Sequence, residues 1–283
     1  MESIVRRENV TTTNHELLYY LGGDDHIGGR DFDEISWRKY MDEAKKRGAV
    51  IWKFGDIIGA IAPGDPRYTA RCLHGDLNHD YFADAVVDYV AELYRPYADC
   101  LGGLGWGNHE AMWLKIHKSD LIDRVIADLH KTRDRSLPPI AHLRYCGVIT
   151  TRFVRNKRTK AHYQKYLIAY HHGTSTNAPV TEGIIAAKRL KDNIEGVDLI
   201  AIGHVHKAWS LRNERFYVDG HDEIKVKDVR LVCVGSHQQS YTDPGEKNLS
   251  WAEQKGFPPA PYGGAFLLLH SHKRHGITAR IEQ

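Results

Sequence analysis

The chain has 283 residues, of which 27% are charged and 42% are hydrophobic. This length can bury a large core, and the composition excludes a disordered or fibrous protein. Lys and Arg total 39 against 36 for Asp and Glu, so the net charge of +3 neither indicates nor excludes a nucleic-acid partner.

The first half of the chain alternates strands and helices. Hydrophobic spacing predicts a strand over ELLYYLG at 16–22, and the helix after it carries Trp37, Met41 and Ala44 on one face. Gly48 is placed to end that helix. The remaining elements of this half are strands over 49–55 and 99–106 and helices over 79–98 and 119–131.

The second half is richer in strands. It contains a hairpin over 145–173, a helix over 180–195, strands over 197–204 and 229–236, and a hairpin over 264–281. Repeated strand–helix units with antiparallel pieces predict an α/β protein in which helices pack on mixed sheets. We expect one domain over 1–283, with core motifs in 17–210 and a strand-rich part over 207–283.

Polar side chains beside glycine follow five of these strands. The segments are GDDHIGG, FGDIIG, WGNHEAM, YHHGTS and IGHVHKA. A polar turn explains any one of them, because Gly and Asp are common turn formers. Five together favour a site, since ligands bind beyond the carboxyl ends of strands in open α/β sheets. The 18 histidines also suggest a metal or catalytic site.

The residue types suit a pair of metal ions. Side chains alternate along a strand, so Asp24 and His26 should leave one face, as should His204 and His206. Asp56 can bridge two ions with its two oxygens. Oxygen and imidazole donors without thiolate favour Mn, Fe, Zn, Ni or Co over Ca or Cu(I).

Two aspartates offset only half the charge of two divalent ions. The remaining positive charge would attract a phosphate ester, so the sequence predicts metal-assisted attack of water on phosphorus. Asn108 adds a neutral oxygen donor. Asn108 and His109 are adjacent on a predicted strand-end loop, so one can bind metal while the other faces the leaving group.

The ordered motifs DxHxG (24–28), GD (55–56), GNHE (107–110), HG (172–173) and GHxH (203–206) resemble the calcineurin-like metallophosphoesterase superfamily. The resemblance implies a two-sheet β-sandwich flanked by helices, and two metal ions, with Mn most expected. It implies for one ion the ligands Asp24, His26, Asp56 and His206. It implies for the other the ligands Asp56, Asn108, His172 and His204. His109 would be the catalytic histidine, and Asp25 would point away.

Two positions depart from the superfamily pattern or leave a choice. Many members have an aspartate three residues after the bridging one, where it orients the catalytic histidine, but this chain has Gly59. Of the adjacent histidines, His172 is the expected ligand because the pattern places the ligand directly before glycine. His171 would face the opposite side of the strand.

The favoured function is a phosphodiesterase or nuclease acting on nucleotide or nucleic-acid substrates. The segment at 250–269 resembles phage and prophage members, although a proline-rich loop explains it equally well. Five aromatic residues could stack on bases, or could equally be core: Trp106, Trp113, Trp209, Tyr241 and Trp251. The alternatives are a phosphomonoesterase, including a protein phosphatase, and a metal-bound interaction module without turnover.

Three motifs are expected to lie outside the site. HGDLNHD at 74–80 precedes a helix and suits a helix cap better than a metal ligand. HSH at 270–272 has ligand spacing but lies in the C-terminal hairpin. RNKRTK at 155–160 reads as a solvated hairpin turn, far from the reacting phosphate.

The four cysteines are far apart and form no CxxC pair, which favours a reduced protein. No apolar run has the length of a signal peptide or a membrane span. We therefore expect a cytoplasmic enzyme with a phosphate-ester substrate and no membrane partner. The sequence does not indicate the oligomeric state.

Overall fold

The computed structural model describes residues 1–66, 68, 77, 81–155, 162–173, 181–242, 250–273 and 276–283. These residues form two six-stranded mixed sheets with helices on their outer faces. The predicted α/β class, two mixed sheets flanked by helices, is confirmed.

The strands, in chain order, are β1 (Glu2–Asn9), β2 (Asn14–Gly22), β3 (Val50–Lys53), β4 (Leu101–Gly105), β5 (Ala141–Arg144), β6 (Cys146–Arg155), β7 (His162–His171), β8 (Leu199–Ile202), β9 (Ala208–Val218), β10 (Ile224–Val234), β11 (Ala265–His272) and β12 (Gly276–Glu282). The helices are α1 (Glu34–Lys46), α2 (Phe82–Tyr94), α3 (Asn108–His117), α4 (Leu121–Leu129), α5 (Ile184–Asn193) and α6 (Trp251–Lys255). No helix in the described part of the chain is long and apolar enough to cross a membrane.

The order of strands is β12-β11-β2-β3-β4-β5 in the first sheet and β1-β6-β7-β8-β10-β9 in the second. In the first sheet β2, β3, β4 and β5 run parallel, so their carboxyl ends reach one edge. In the second, β7, β8 and β10 also run parallel. All five strand ends that carry predicted site motifs therefore belong to parallel strands.

The core follows from the alternation of side chains along each strand. Tyr19 and Leu21 of β2 point between the two sheets, while Tyr20 points towards the helices. Trp37 of α1 packs in the same cluster as Tyr20, and Ala187 of α5 packs on the outer face of the second sheet. The layers are thus helix, sheet, sheet and helix.

Two elements differ from the sequence prediction. The strand β1 was not predicted because its sequence is mostly polar, and its residues alternate between half-buried and exposed at the edge of the second sheet. The predicted loop at Asn108 and His109 is wrong, because Asn108 begins α3. A capping box supports this start: the Glu110 side chain accepts from the backbone N–H of Gly107.

Candidate metal centre

The five predicted motifs lie where the structure ends β2, β3, β4, β7 and β8. The structure brings all seven predicted ligands together, with His109 beside them. Three groups place their ligand atoms within 4.8 Å of one another. They are Asp24, His26 and His206; His26, Asp56 and His109; and Asp56, His172 and His204. Asp56 belongs to two of them and therefore lies between the first group and the third.

The side chains converge for a reason other than the alternation of a strand. The expectations that Asp24 and His26, and likewise His204 and His206, leave one face of a strand are wrong. The strand β2 already ends at Gly22, and β8 ends at Ile202. Five of the predicted ligands have left-handed backbone, with φ between 45° and 69°; they are Asp24, His26, Asp56, His204 and His206. Non-glycine residues rarely adopt this conformation, and it gathers at functional sites.

The first group contains two facing imidazoles and a buried carboxyl. The Nε2 atoms of His26 and His206 are 3.0 Å apart, and Asp24 Oδ1 lies 3.7 Å from His206 Nε2. Nitrogens bound at about 2.1 Å to one ion lie about 3–3.4 Å apart, which matches. Asp24 Oδ1 is buried without a hydrogen-bond partner, while Oδ2 accepts from the His204 backbone. The open oxygen suits a cation.

The third group needs a proton or a metal ion at His172. The Phe54 carbonyl can only accept, so His172 donates to it through Nδ1 at 3.1 Å. His172 Nε2 then faces Asp56 Oδ2 and Asn108 Oδ1, both at 3.3 Å. A neutral ring would set a lone pair against two acceptor oxygens. Either a proton or a metal ion at Nε2 removes this repulsion.

Protonation states agree with this chemistry. Burial lowers the pKa of His206 to about 3, so its ring is neutral and able to bind metal. Burial opposes the charge of His172, but the Asp56 carboxylate outweighs burial and raises its pKa to about 9. Burial raises the pKa of Asp24 well above its ordinary value. The residues present therefore fit a pair of divalent ions, which would offset the buried carboxylates.

Asp56 remains ionised at the middle of the cluster. Burial opposes its charge, but the imidazoles of His172 and His109 hold the pKa of Asp56 well below its usual range. Its Oδ1 accepts from the His109 backbone N–H at 2.9 Å, and its Oδ2 faces His172. Oδ2 is thus directed at His172, and Oδ1 at the start of α3, where His109 lies.

A backbone carbonyl orients His109 in place of the missing aspartate. His109 Nδ1 lies 3.2 Å from the carbonyl oxygen of Ile58 and donates to it. Gly59 has no room for a side chain, because a Cβ there would lie 2.2 Å from the His26 carbonyl oxygen. The loop therefore has no space for the aspartate that the sequence resemblance places at position 59.

Glu110 is a buried residue whose role the sequence analysis missed. Its carboxylate accepts from the backbone N–H of Ile58 and of Gly107, each at 2.7 Å. Burial first, and then the charge of Asp56, raise the pKa of Glu110 to about 7. It ties the loop that carries Asp56 to the start of α3. Its place in the GNHE motif was the available signal.

A sixth strand end also reaches the site. The hydroxyl of Ser236 and the backbone N–H of His237 both donate to the carbonyl of Asp24, at 2.8 and 3.0 Å. These residues follow β10, which lies beside β8. The GSH sequence after a predicted strand resembled the other five motifs and could have identified them.

None of the described residues of the three motifs that we expected to lie outside the site belongs to this centre. His270 pairs with Glu16 at 3.1 Å, and His272 contacts Asn14, so HSH is occupied elsewhere. Only Leu77 of HGDLNHD is described, and the N-cap of α2 is Tyr81 rather than a residue of that motif. RNKRTK lies outside the described residues except for Arg155.

The candidate aromatic residues have different environments. Trp113 is buried in the core and donates to the Ala60 carbonyl, so a stacking role for it is wrong. Trp209 donates to the Glu182 carbonyl. Tyr241 donates to the Phe257 carbonyl, and the side chain of Trp251 lies outside the described part.

Trp106 lies directly before the GNHE motif and is half-buried. Its indole N–H donates to Asp120 at 3.0 Å, and the Arg144 guanidinium lies 4.8 Å from its ring centroid. Asp120 also belongs to a group with Asp123 and His142. The ring of His142 accepts at Nδ1 and therefore donates from Nε2 to Asp120, which accounts for this group without metal.

No family model and no curated protein sequence matches the chain. Solved structures are similar to it, among them the following three. A predicted phosphoesterase of Streptococcus pneumoniae has 9% identity and a TM-score of 0.30, with 95% of this chain and 99% of that chain covered. GAP50, the anchor in the inner membrane complex of Plasmodium, has 15% identity and a TM-score of 0.36, with 94% and 84% covered.

The third is Vps29 of Entamoeba histolytica, complexed with Zn²⁺. It has 11% identity and a TM-score of 0.29, with 94% of this chain and 98% of that chain covered. At TM-scores this low, the three likenesses assign neither a family nor an activity to this chain.

Proposed function

We propose that this protein is a phosphoester hydrolase that uses two divalent transition-metal ions. The observation that carries the proposal is the position of Asp56 between two groups of ligand side chains, with His109 beside them. Two such ions supply an activated water and polarise the phosphoryl oxygens of an ester. We expect Mn²⁺, and the ligand set also suits Fe, Zn, Ni and Co.

The side chains have distinct roles in this proposal. One ion would be held by Asp24, His26, Asp56 and His206. The other would be held by Asp56, Asn108, His172 and His204. His109 donates a proton to the leaving oxygen. The transferred proton is on Nε2, because Nδ1 is engaged by the Ile58 carbonyl.

We propose further that the substrate is a diester of the nucleotide or nucleic-acid kind. Support comes from Trp106 and Arg144, which stack on one another at the start of the GNHE segment. An aromatic ring next to a guanidinium is the combination that binds bases and phosphates in single-stranded nucleic acid. The Asp120 bond to Trp106 holds the indole in a fixed orientation.

A hydrolysis panel tests the function. The full chain is loaded with Mn²⁺ and given p-nitrophenyl phosphate, bis(p-nitrophenyl) phosphate, cyclic nucleotides, and single- and double-stranded DNA. We expect turnover of diesters, lost in Asp56→Asn. Preference for the monoester would favour a phosphomonoesterase. Metal binding without turnover of any substrate would favour an interaction module.

A further inference from the structure

Asp25 lies between two proposed ligands, Asp24 and His26, and takes part in a buried ion pair. The Lys53 ammonium donates to Asp25 Oδ1 at 2.7 Å, and the Tyr94 hydroxyl donates to Asp25 Oδ2. All three side chains are inaccessible to solvent. Both carboxylate oxygens of Asp25 are therefore engaged away from the proposed metal centre.

These three residues come from separate elements. Asp25 follows β2, Lys53 ends β3 three residues before Asp56, and Tyr94 ends α2. The ion pair therefore connects the segment that carries Asp24 and His26 to the strand that leads to Asp56. A connection between ligand-bearing segments can fix how far apart the ligands lie.

Stability alone does not account for this arrangement. Desolvating two charges costs about as much as their attraction returns, so apolar side chains of similar volume would stabilise this position equally well. Charge-assisted hydrogen bonds differ from apolar contacts because they also fix direction. Lys53 and Tyr94 together determine where the Asp25 side chain points.

The proposed ligands on either side of Asp25 need their backbone to be held in place. Asp24 and His26 have φ of 48° and 56°, which the backbone of such residues rarely adopts when unconstrained. Their backbone N–H groups bond to the carbonyls of Gly55 and Asp56, at 2.8 and 3.0 Å. These bonds hold the outer residues of the segment, and the side chain of Asp25 holds its middle.

We propose that Asp25, Lys53 and Tyr94 are positioning residues that hold segment 24–26 so that Asp24 and His26 face the metal ions. They act through those two ligands and bind no ion themselves. This inference rests on the two-metal centre proposed above. Groups that orient metal ligands typically contribute about 10- to 100-fold to metal affinity.

A matched pair of tyrosine variants gives the first test. Tyr94 and Tyr97 both pack edge-on against Trp37, with ring centroids 5.2 and 5.6 Å away. The Tyr97 hydroxyl donates to Asp42, away from the metal centre, at 2.7 Å. Each Tyr→Phe variant thus removes one Tyr–Asp hydrogen bond and keeps the ring.

Calorimetric titration of the metal-stripped full chain with Mn²⁺ separates the two. We expect Tyr94→Phe to weaken Mn²⁺ binding about tenfold or more. Tyr97→Phe should bind as the wild type does. The melting temperature of the metal-free protein should fall more in Tyr94→Phe, because this change leaves the buried Asp25 Oδ2 without its donor, whereas Asp42 is exposed to water. Equal Mn²⁺ affinities for the two variants would overturn the inference. If the wild type binds no metal ion, the two-metal centre itself fails.

A charge-balanced double variant gives the second test. Lys53→Met leaves Asp25 charged and buried, so it should lower both the melting temperature and the Mn²⁺ affinity. Asp25→Asn combined with Lys53→Met should restore the melting temperature of the metal-free protein but not the Mn²⁺ affinity. Recovery of both the melting temperature and the Mn²⁺ affinity would show that Asp25 and Lys53 have a purely structural role, and would overturn the proposal. If Lys53→Met does not fold, the tyrosine pair decides alone.

Discussion

Replacing Gly59 tests whether His109 is oriented by backbone rather than by an aspartate. A Cβ at this position would lie 2.2 Å from the His26 carbonyl oxygen and 2.6 Å from its carbon. Real Cβ atoms keep at least 3.0 Å from such atoms. The backbone of His26 would therefore have to move by about 0.8 Å, the gap between these two distances. His26 is a proposed ligand, so the movement would reach the metal centre.

The size of the effect follows from that displacement. Overpacking a closed site costs about 1–3 kcal/mol, so Gly59→Ala should lower the free energy of unfolding of the metal-free protein by that amount. A displacement near 1 Å at a catalytic site costs about 10²-fold in rate. Gly59→Asp should lose at least as much. An aspartate at position 59 would thus damage this site instead of improving it.

Three measurements check the prediction. They are urea unfolding of the metal-free protein, calorimetric titration with Mn²⁺, and hydrolysis of bis(p-nitrophenyl) phosphate. Gly220→Ala is the control, because a Cβ at Gly220 meets nothing within 4 Å. Wild-type affinity and rate in Gly59→Ala would refute the reasoning. Faster turnover in Gly59→Asp would show that this loop opens to admit an orienting carboxylate.

Four further predictions concern the metal centre. Asp56→Asn should weaken the binding of both ions together in metal analysis, because it removes a charge that both ions share. Loss of one ion alone would contradict a bridging role for Asp56. His109→Ala should keep both ions, and its hydrolysis rate should fall about 10²- to 10⁴-fold on a nucleoside diester. The rate on an aryl diester should fall far less, because an aryl oxide leaves without a proton. Equal losses of rate on both substrates would indicate that His109 stabilises charge in the transition state instead. His172→Ala should abolish activity, whereas His171→Ala, whose ring accepts from the Gly173 backbone, should retain much of it; the reverse would move the ligand to His171. Because the pKa of His172 is raised to about 9, metal binding must displace its proton, so Mn²⁺ affinity should rise between about pH 7 and 9. Calorimetry in buffers of different ionisation enthalpy would detect the released proton, and affinity independent of pH would contradict this.

Much of the fold was predictable because its signals are local. The alternation of Tyr19, Tyr20 and Leu21 identifies β2, and the helical spacing of Trp37 and Met41 identifies α1. The motifs after the strands could be placed together because parallel strands end at one edge. These predictions needed only hydrophobic spacing and the direction of the chain.

The rest depends on contacts that no local pattern encodes. Asp24 and His206 have a left-handed backbone, which residues other than glycine rarely adopt. The residue types at these positions therefore do not predict it. The ion pair of Lys53 with Asp25 joins residues 28 positions apart, and Lys53 itself occurs in a segment that reads as an ordinary strand. The start of α3 at Asn108 depends on Glu110, which bonds across to another loop.

The proposed ligands come from both sheets, and this has a consequence for folding. His26 and His206 lie 180 positions apart in the chain and meet only when the two sheets have docked. Loop closure over such a separation is slow, so the pocket is assembled late and the nascent chain offers no preformed cage for an ion. A bound metal ion would therefore act on the folded molecule, adding RT ln(1 + [M]/Kd) to the free energy of unfolding. A bound ion would connect the two sheets. Removing it should weaken the packing of one sheet on the other before either sheet unfolds.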